Sequence, residues 1–213
     1  MLTMKNWTTI YHSAALAVLL IFVAAPKSSA QVLPNAYFNI DWQVGIPLSN
    51  DFAEDTSGWG MNFEGGYFLT DAITIGAFMN YQTNFESVGR RTLQLADGSA
   101  LTTSQKHAVF QLPFGVAARY NWLTDDVFQP YVGMKIGTAW TQFSSYYYIY
   151  KQYTEAWGFY LSPEVGVSIF PRPDMRFGFH AALYFSYATN NGSLLSYKVD
   201  GLTNLGFRVG VSF

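Results

Sequence analysis

Asn204-Leu-Gly-Phe-Arg-Val-Gly-Val-Ser-Phe213 ends the chain and decides how the rest is read. Taken with a period of two, it sets Leu205, Phe207, Val209, Val211 and Phe213 on one face and Asn204, Gly206, Arg208, Gly210 and Ser212 on the other. That is a strand whose two sides meet different surroundings. Chain ends usually fray and carry polar residues at no cost. A clean alternation up to a terminal aromatic therefore implies that the last residues are pinned into a sheet, as closing the seam of a barrel would require.

Working back from this segment, the same alternation recurs over residues 36–46, 59–68, 73–83, 106–122, 131–143, 157–169 and 175–187. With the terminal strand, the pattern predicts eight strands, an even number as a bacterial single-chain membrane barrel requires. The first of them opposes Phe38, Ile40, Trp42, Val44 and Ile46 to Tyr37, Asn39, Asp41, Gln43 and Gly45 without an error. In every segment the parity that carries the charges also carries Gly, Asn, Ser and Thr. Phe68 and Phe78 interrupt that polar face, and Pro113 implies a bulge or a missing ladder bond.

The connections add an independent signal. After even strands they are short, at 69–72, 123–129 and 171–174; after odd strands they are longer, at 47–58, 84–105, 144–156 and 188–200. Short turns at one rim and long loops at the other are the periplasmic and outer ends of a transmembrane β-barrel. Both termini are then expected in the periplasm.

Bulk properties agree. Half of the residues are hydrophobic and 12% are charged, about half the typical globular share of ~25%. A net charge of −2 with no Lys/Arg-rich run gives no footprint for nucleic acid. The absence of cysteine excludes disulfides, thiolate metal sites and a Cys nucleophile. At the N-terminus, Lys5, the apolar run 14–25 and the small residues Ser28-Ser-Ala30 read as a cleaved signal peptide over 1–30, with a barrel domain over 31–213. The competing reading, a membrane anchor, has an apolar run shorter than the roughly 20 residues a spanning helix needs.

A soluble barrel would show the same period, so the faces must decide. Soluble barrels put bulky apolar residues inside and charges outside. Here the charge-bearing face is narrow, rich in Gly, Ser, Asn and Thr, while the other carries Phe, Trp, Ile, Leu and Tyr, as a lipid-facing wall would. Its aromatics cluster toward strand ends: Trp59, Tyr81, Trp140, Trp157 and Tyr187 at one rim, Tyr67, Tyr120, Trp122 and Phe213 at the other, like two interfacial girdles. Trp42 falls mid-strand and does not fit. A secreted lipocalin-like barrel is the soluble alternative.

The segments Gly66-Tyr-Phe-Leu-Thr-Asp-Ala-Ile-Thr-Ile-Gly76, Gln129-Pro-Tyr-Val-Gly-Met-Lys-Ile-Gly137 and Ser162-Pro-Glu-Val-Gly-Val167, with Phe213, resemble the small outer-membrane β-barrel superfamily. This group includes the transmembrane domain of outer membrane protein A, the opacity proteins and their Bacteroidetes relatives. The resemblance covers residues 31–213. It implies an all-β, eight-stranded antiparallel up-and-down transmembrane β-barrel in the bacterial outer membrane, in contact with its lipid and lipopolysaccharide. It also implies that Phe213 acts as a signal to the barrel-assembly machinery. Members include adhesins, anchors and small pores, so the fold does not settle the activity.

On the polar face, Asp41, Glu64 and Glu164 accompany Arg119, Lys135, Arg176 and Arg208. Charges in so narrow a lumen must pair. Strand depth predicts Lys135 beside Glu164, and Asp41 beside Arg208 across the seam with Glu64 near that pair. The network reads as an ion-pair plug, or alternatively as a gate. His180 is expected in the lumen near Tyr184 and Arg176, and His107 near the outer end of the fourth strand. Neither has metal-ligand spacing, and no cofactor is expected. Ser104, His107 and Glu86 could be imagined as a hydrolytic set, although ordinary loop and rim residues are much the better account of them. Tyr146, Tyr147, Tyr148, Tyr150 and Tyr153 make the third long loop a possible interaction loop for an unidentified extracellular ligand, or a hairpin that simply extends beyond the bilayer. Arg90 and Arg91 could meet anionic lipopolysaccharide. The expected function is a structural or surface-interaction barrel without enzymatic activity. The alternatives are a narrow porin-like channel and, more distantly, a lipid-modifying enzyme.

Overall fold

The computed structural model describes residues 35–48, 52–94, 100–122, 127–147, 150–171, 177–194 and 197–213. The segment 1–30 expected to be a signal peptide lies outside them. The strands are β1 (Ala36–Pro47), β2 (Asp55–Phe68), β3 (Ile73–Gln94), β4 (Ala100–Asn121), β5 (Phe128–Tyr147), β6 (Tyr150–Ile169), β7 (Gly178–Leu194) and β8 (Tyr197–Ser212). Each pairs antiparallel with its sequence neighbour, and β8 returns to β1 to close the barrel. At the seam, Ile40 lies opposite Val211 and Val44 opposite Phe207. Phe38 and Phe213 exchange both backbone hydrogen bonds, at 3.0 and 2.9 Å. The terminal residue is thus held by the ladder, and no edge is left open.

Alternation assigns the faces as the sequence implies for a membrane barrel. Val116, Ile136, Leu183, Val209 and their neighbours point outward, whereas Asn39, Asp41, Glu64, Arg119, Lys135, Glu164 and Arg208 are buried inside. Trp42, the outlier of the girdle pattern, is an outward residue with its own device. Irregular register between β1 and β2 leaves the Gly58 carbonyl free to accept from Trp42 Nε1 at 2.6 Å. The indole N–H is satisfied, so it can sit on the outer wall away from the interface.

Strand ends differ from the alternation-based expectation, mostly at the outer rim. β3 and β4 remain paired to Gln94 and Ala100, and β5 and β6 to Tyr147 and Tyr150. Hydrogen-bonded hairpins thus project where long loops were expected. Polar residues at both parities hide a strand from periodicity once it leaves the membrane, because neither face then needs to be apolar. At the other rim β5 begins at Phe128 and β7 at Gly178.

Lumen glycines create the room that the large side chains use. Along one rung, Phe78 of β3 is followed by Gly115, Gly137 and Tyr160 on β4, β5 and β6. The Phe78 and Tyr160 rings meet above the two glycines with centroids 5.8 Å apart. A Cβ on Gly115 would lie 2.2 Å from the Ile136 carbonyl oxygen, so the strands approach there as only glycine permits.

Candidate functional site

The inner half of the lumen holds a closed polar lock. Glu64 from β2 and Glu164 from β6 form its centre. Lys135 from β5 bridges them, with Nζ 2.7 Å from Glu64 Oε2 and 2.9 Å from Glu164 Oε2, and it donates to Asn62 Oδ1 at 3.0 Å. Arg119 from β4 also reaches both, at 2.5 Å to Glu64 and 3.5 Å to Glu164. Arg208 from β8 pairs with Glu164 and donates through Nε to Gln43 Oε1 at 2.8 Å. Tyr37 donates to Glu64 at 2.7 Å and Tyr131 to Glu164 at 3.0 Å. The arginine guanidiniums lie on tyrosine rings, Arg119 at 4.1 Å from Tyr131 and Arg208 at 4.1 Å from Tyr184.

Asp41 is the correction. It does not pair with Arg208, nor is Glu64 close to such a pair. Gly210 of β8 lies opposite Asp41 on one side and His180 on the other. Asp41 Oδ1 reaches across it to His180 Nδ1 at 2.6 Å, while Asn62 donates to Oδ2 at 2.8 Å. Arg208 stands one rung further out, opposite Gln43 and Ala182. His180 Nε2 is 2.7 Å from the Tyr131 hydroxyl, which joins Asp41 to Glu164 through a hydrogen-bonded chain. Among the described residues, the buried carboxylates Asp41, Glu64 and Glu164 are matched in number by Arg119, Lys135 and Arg208. Such charges are tolerated in a low-dielectric interior only when paired and hydrogen-bonded.

Alternation did not reveal that the outer half of the lumen holds an apolar cluster among its polar side chains. Val109, Phe143, Leu194, Val199 and Leu202 form a buried cluster with Phe52, a residue of the first outer loop that turns inward. No strand period marks Phe52, because its position depends on how the loop folds over the rim. His107 lies in this cluster, fully buried, with Nδ1 2.8 Å from Ser145 Oγ. Ser104 is exposed on the opposite face of β4, so the imagined hydrolytic set is not assembled.

The tyrosines divide. Tyr146 and Tyr153 are exposed on the outer wall on either side of Lys151, whose Nζ is 5.3 and 5.6 Å from their ring centroids, and Tyr150 is exposed near the tip. Tyr147 points into the lumen and is buried, so it contributes no interaction surface. Tyr148 and Arg176 lie outside the described residues. Arg90 and Arg91 are exposed near the outer end of β3. Among the described residues, no three His, Cys, Asp or Glu side chains converge as metal ligands would.

A closed antiparallel barrel with an apolar outer wall and paired charges within defines an outer-membrane β-barrel protein. The chain belongs to the outer membrane protein beta-barrel domain family, which it matches over residues 13–213. No curated protein gives a significant match. Among solved structures, Neisserial surface protein A is 16% identical with a TM-score of 0.50, over 83% of this chain and 95% of that one. The Yersinia pestis attachment invasion locus protein Ail, in complex with the heparin analogue sucrose octasulfate, is 12% identical with a TM-score of 0.46, over 84% and 98%. OprG from Pseudomonas aeruginosa is 13% identical with a TM-score of 0.44, over 84% and 94%. At these identities the likeness concerns the fold alone, and the first of these structures carries it.

Proposed function

We propose that this outer-membrane barrel is a non-enzymatic protein with a structural or surface-interaction role, its lumen plugged by ion pairs. The observation that carries the reading is the lock itself: Glu64, Glu164, Arg119, Lys135 and Arg208 are buried, mutually paired and drawn from five of the eight strands. Opening a path would require separating charges in a dry interior, where a partner's loss is expensive. Specificity then resides on the outer surface, where Tyr146, Tyr150 and Tyr153 present rings to an extracellular ligand and Arg90 and Arg91 face the lipopolysaccharide layer.

Single-channel recording of the reconstituted barrel tests this reading. No conductance is expected from the native protein or from Arg208→Ala, because Arg119 and Lys135 still hold both glutamates. Steady conductance from the native barrel would replace the plug with the narrow-pore alternative. A crosslinking pull-down from intact cells would then identify what the outer hairpins touch.

A further inference from the structure

The outer half of the lumen has its own closure, distinct from the ionic lock. Phe52 is buried although it belongs to the loop before β2. Its ring lies 4.5 Å from His107, 5.8 Å from Tyr197 and 6.1 Å from Phe143, centroid to centroid. His107 and Tyr197 are themselves 4.7 Å apart. The aromatic box therefore draws on β4, β5 and β8, with Phe52 as its fourth member.

At the level of this box the outer face of the wall turns polar. On the outside of the same wall, above the Trp140–Trp157 rung, Gln142 donates to Glu155 at 3.2 Å, and exposed Lys106 and Lys151 lie further out. The wall outside the stopper is therefore polar. The wall behind the ring is poised for water. Glu86, His107 and Ser145 share one rung, and Val88, Gln105 and Tyr147 share the next. Among the described residues, His107 Nε2 and Gln105 Nε2 have no hydrogen-bond partner. Covering them with an apolar ring leaves their desolvation uncompensated. Releasing the ring would hydrate them but expose Phe52, so each arrangement satisfies what the other sacrifices.

We infer that Phe52 is a stopper seated in an aromatic box at the outer mouth, forming a second seal in series with the ionic lock and having an alternative, water-filled released state. The inference rests on the sealed-lumen reading and adds an independent, apolar barrier to it. Entry of water from outside is controlled by Phe52 and not by Glu64 or Glu164.

The chain contains no cysteine, so a single Val109→Cys substitution gives a reporter in the apolar cluster beneath Phe52. The full barrel, folded as judged by heat-modifiable gel migration, is treated with a charged, membrane-impermeant thiol reagent. Native Phe52 is expected to protect the cysteine, Phe52→Ala to raise its labelling rate by roughly tenfold or more through loss of the closed state, and Phe52→Leu to restore protection. Arg208→Ala should leave labelling unchanged. Equal labelling with Phe52 and Ala at this position would overturn the stopper, and labelling switched on by Arg208→Ala would overturn its independence from the lock. Conductance of the native barrel would instead sink the plugged-lumen reading, so the two failures are distinguishable.

Discussion

Asp41 and His180 are joined across the bare backbone of Gly210, Oδ1 to Nδ1 at 2.6 Å, although their strands are separated by β8. The missing side chain is what allows the contact. A Cβ on Gly210 would stand 2.0 Å from the Ile40 carbonyl oxygen and 2.6 Å from Asp41 Oδ1. Gly133 plays a similar part between Arg119 and Glu164, whose Cγ atoms would lie 3.3 and 3.1 Å from its added Cβ. The glycine-rich parity is thus the space through which charged side chains find partners beyond the adjacent strand.

Gly210→Ala should therefore impair closure, since the new methyl meets backbone that cannot move without breaking the ladder. The expected result is loss of the heat-resistant folded band on detergent gels. Gly89→Ala, where an added Cβ meets nothing within 4 Å, should stay within about 0.5 kcal/mol of the native protein. Equal behaviour of the two variants would refute the close-approach argument.

Lys135 is the ammonium shared by Glu64 and Glu164, and Lys135→Met leaves two buried carboxylates short of a partner. By analogy with other broken buried pairs the loss should be about 3–5 kcal/mol, measured by denaturant unfolding in lipid vesicles. His180→Phe leaves Asn62 on Asp41 and should cost less. If Lys135→Met unfolds like the native barrel, the lock contributes no stability.

Orientation in the bilayer can be checked from the wall. Ile136→Arg, midway along β5 and facing outward, should cost roughly 2–4 kcal/mol in the same unfolding assay. Ser87→Arg, exposed beside Lys106 on β3 and β4, should be close to neutral. Similar costs at the two positions would place the hydrocarbon layer elsewhere.

The tyrosine hairpin separates surface from support. Tyr150→Ala combined with Tyr153→Ala should leave thermal stability within a few tenths of a kcal/mol, as exposed substitutions do, while reducing any crosslinking to the extracellular ligand proposed for this hairpin. Tyr147→Ala should instead lower stability by about 1–3 kcal/mol through a cavity at the lumen mouth. A binding loss from Tyr147→Ala alone would contradict its inward placement.

Phe213 packs against Phe177 with ring centroids 5.6 Å apart, while its backbone bonds to Phe38 need no particular side chain. Phe213→Ala should consequently refold in vitro with only modest loss but accumulate less in outer membranes of living cells. Unchanged cellular accumulation would remove the assembly-signal role expected for this residue.

Residue order alone determined the barrel, because the side-chain period of a strand is two and each face meets a different medium. Asn204–Phe213, with its apolar and charged parities, already stated which face was which. The same alternation in the other strands showed that Asp41, Glu64, Arg119, Lys135, Glu164 and Arg208 share an interior. Partner choice was beyond it: a one-rung stagger put Gln43, not Asp41, opposite Arg208, and an empty position at Gly210 sent Asp41 to His180. Those outcomes depend on register and on chords across the lumen, which no local pattern encodes. Phe52 is the extreme case, since a loop residue has no period, and only the closed ring of strands provided the box that receives it.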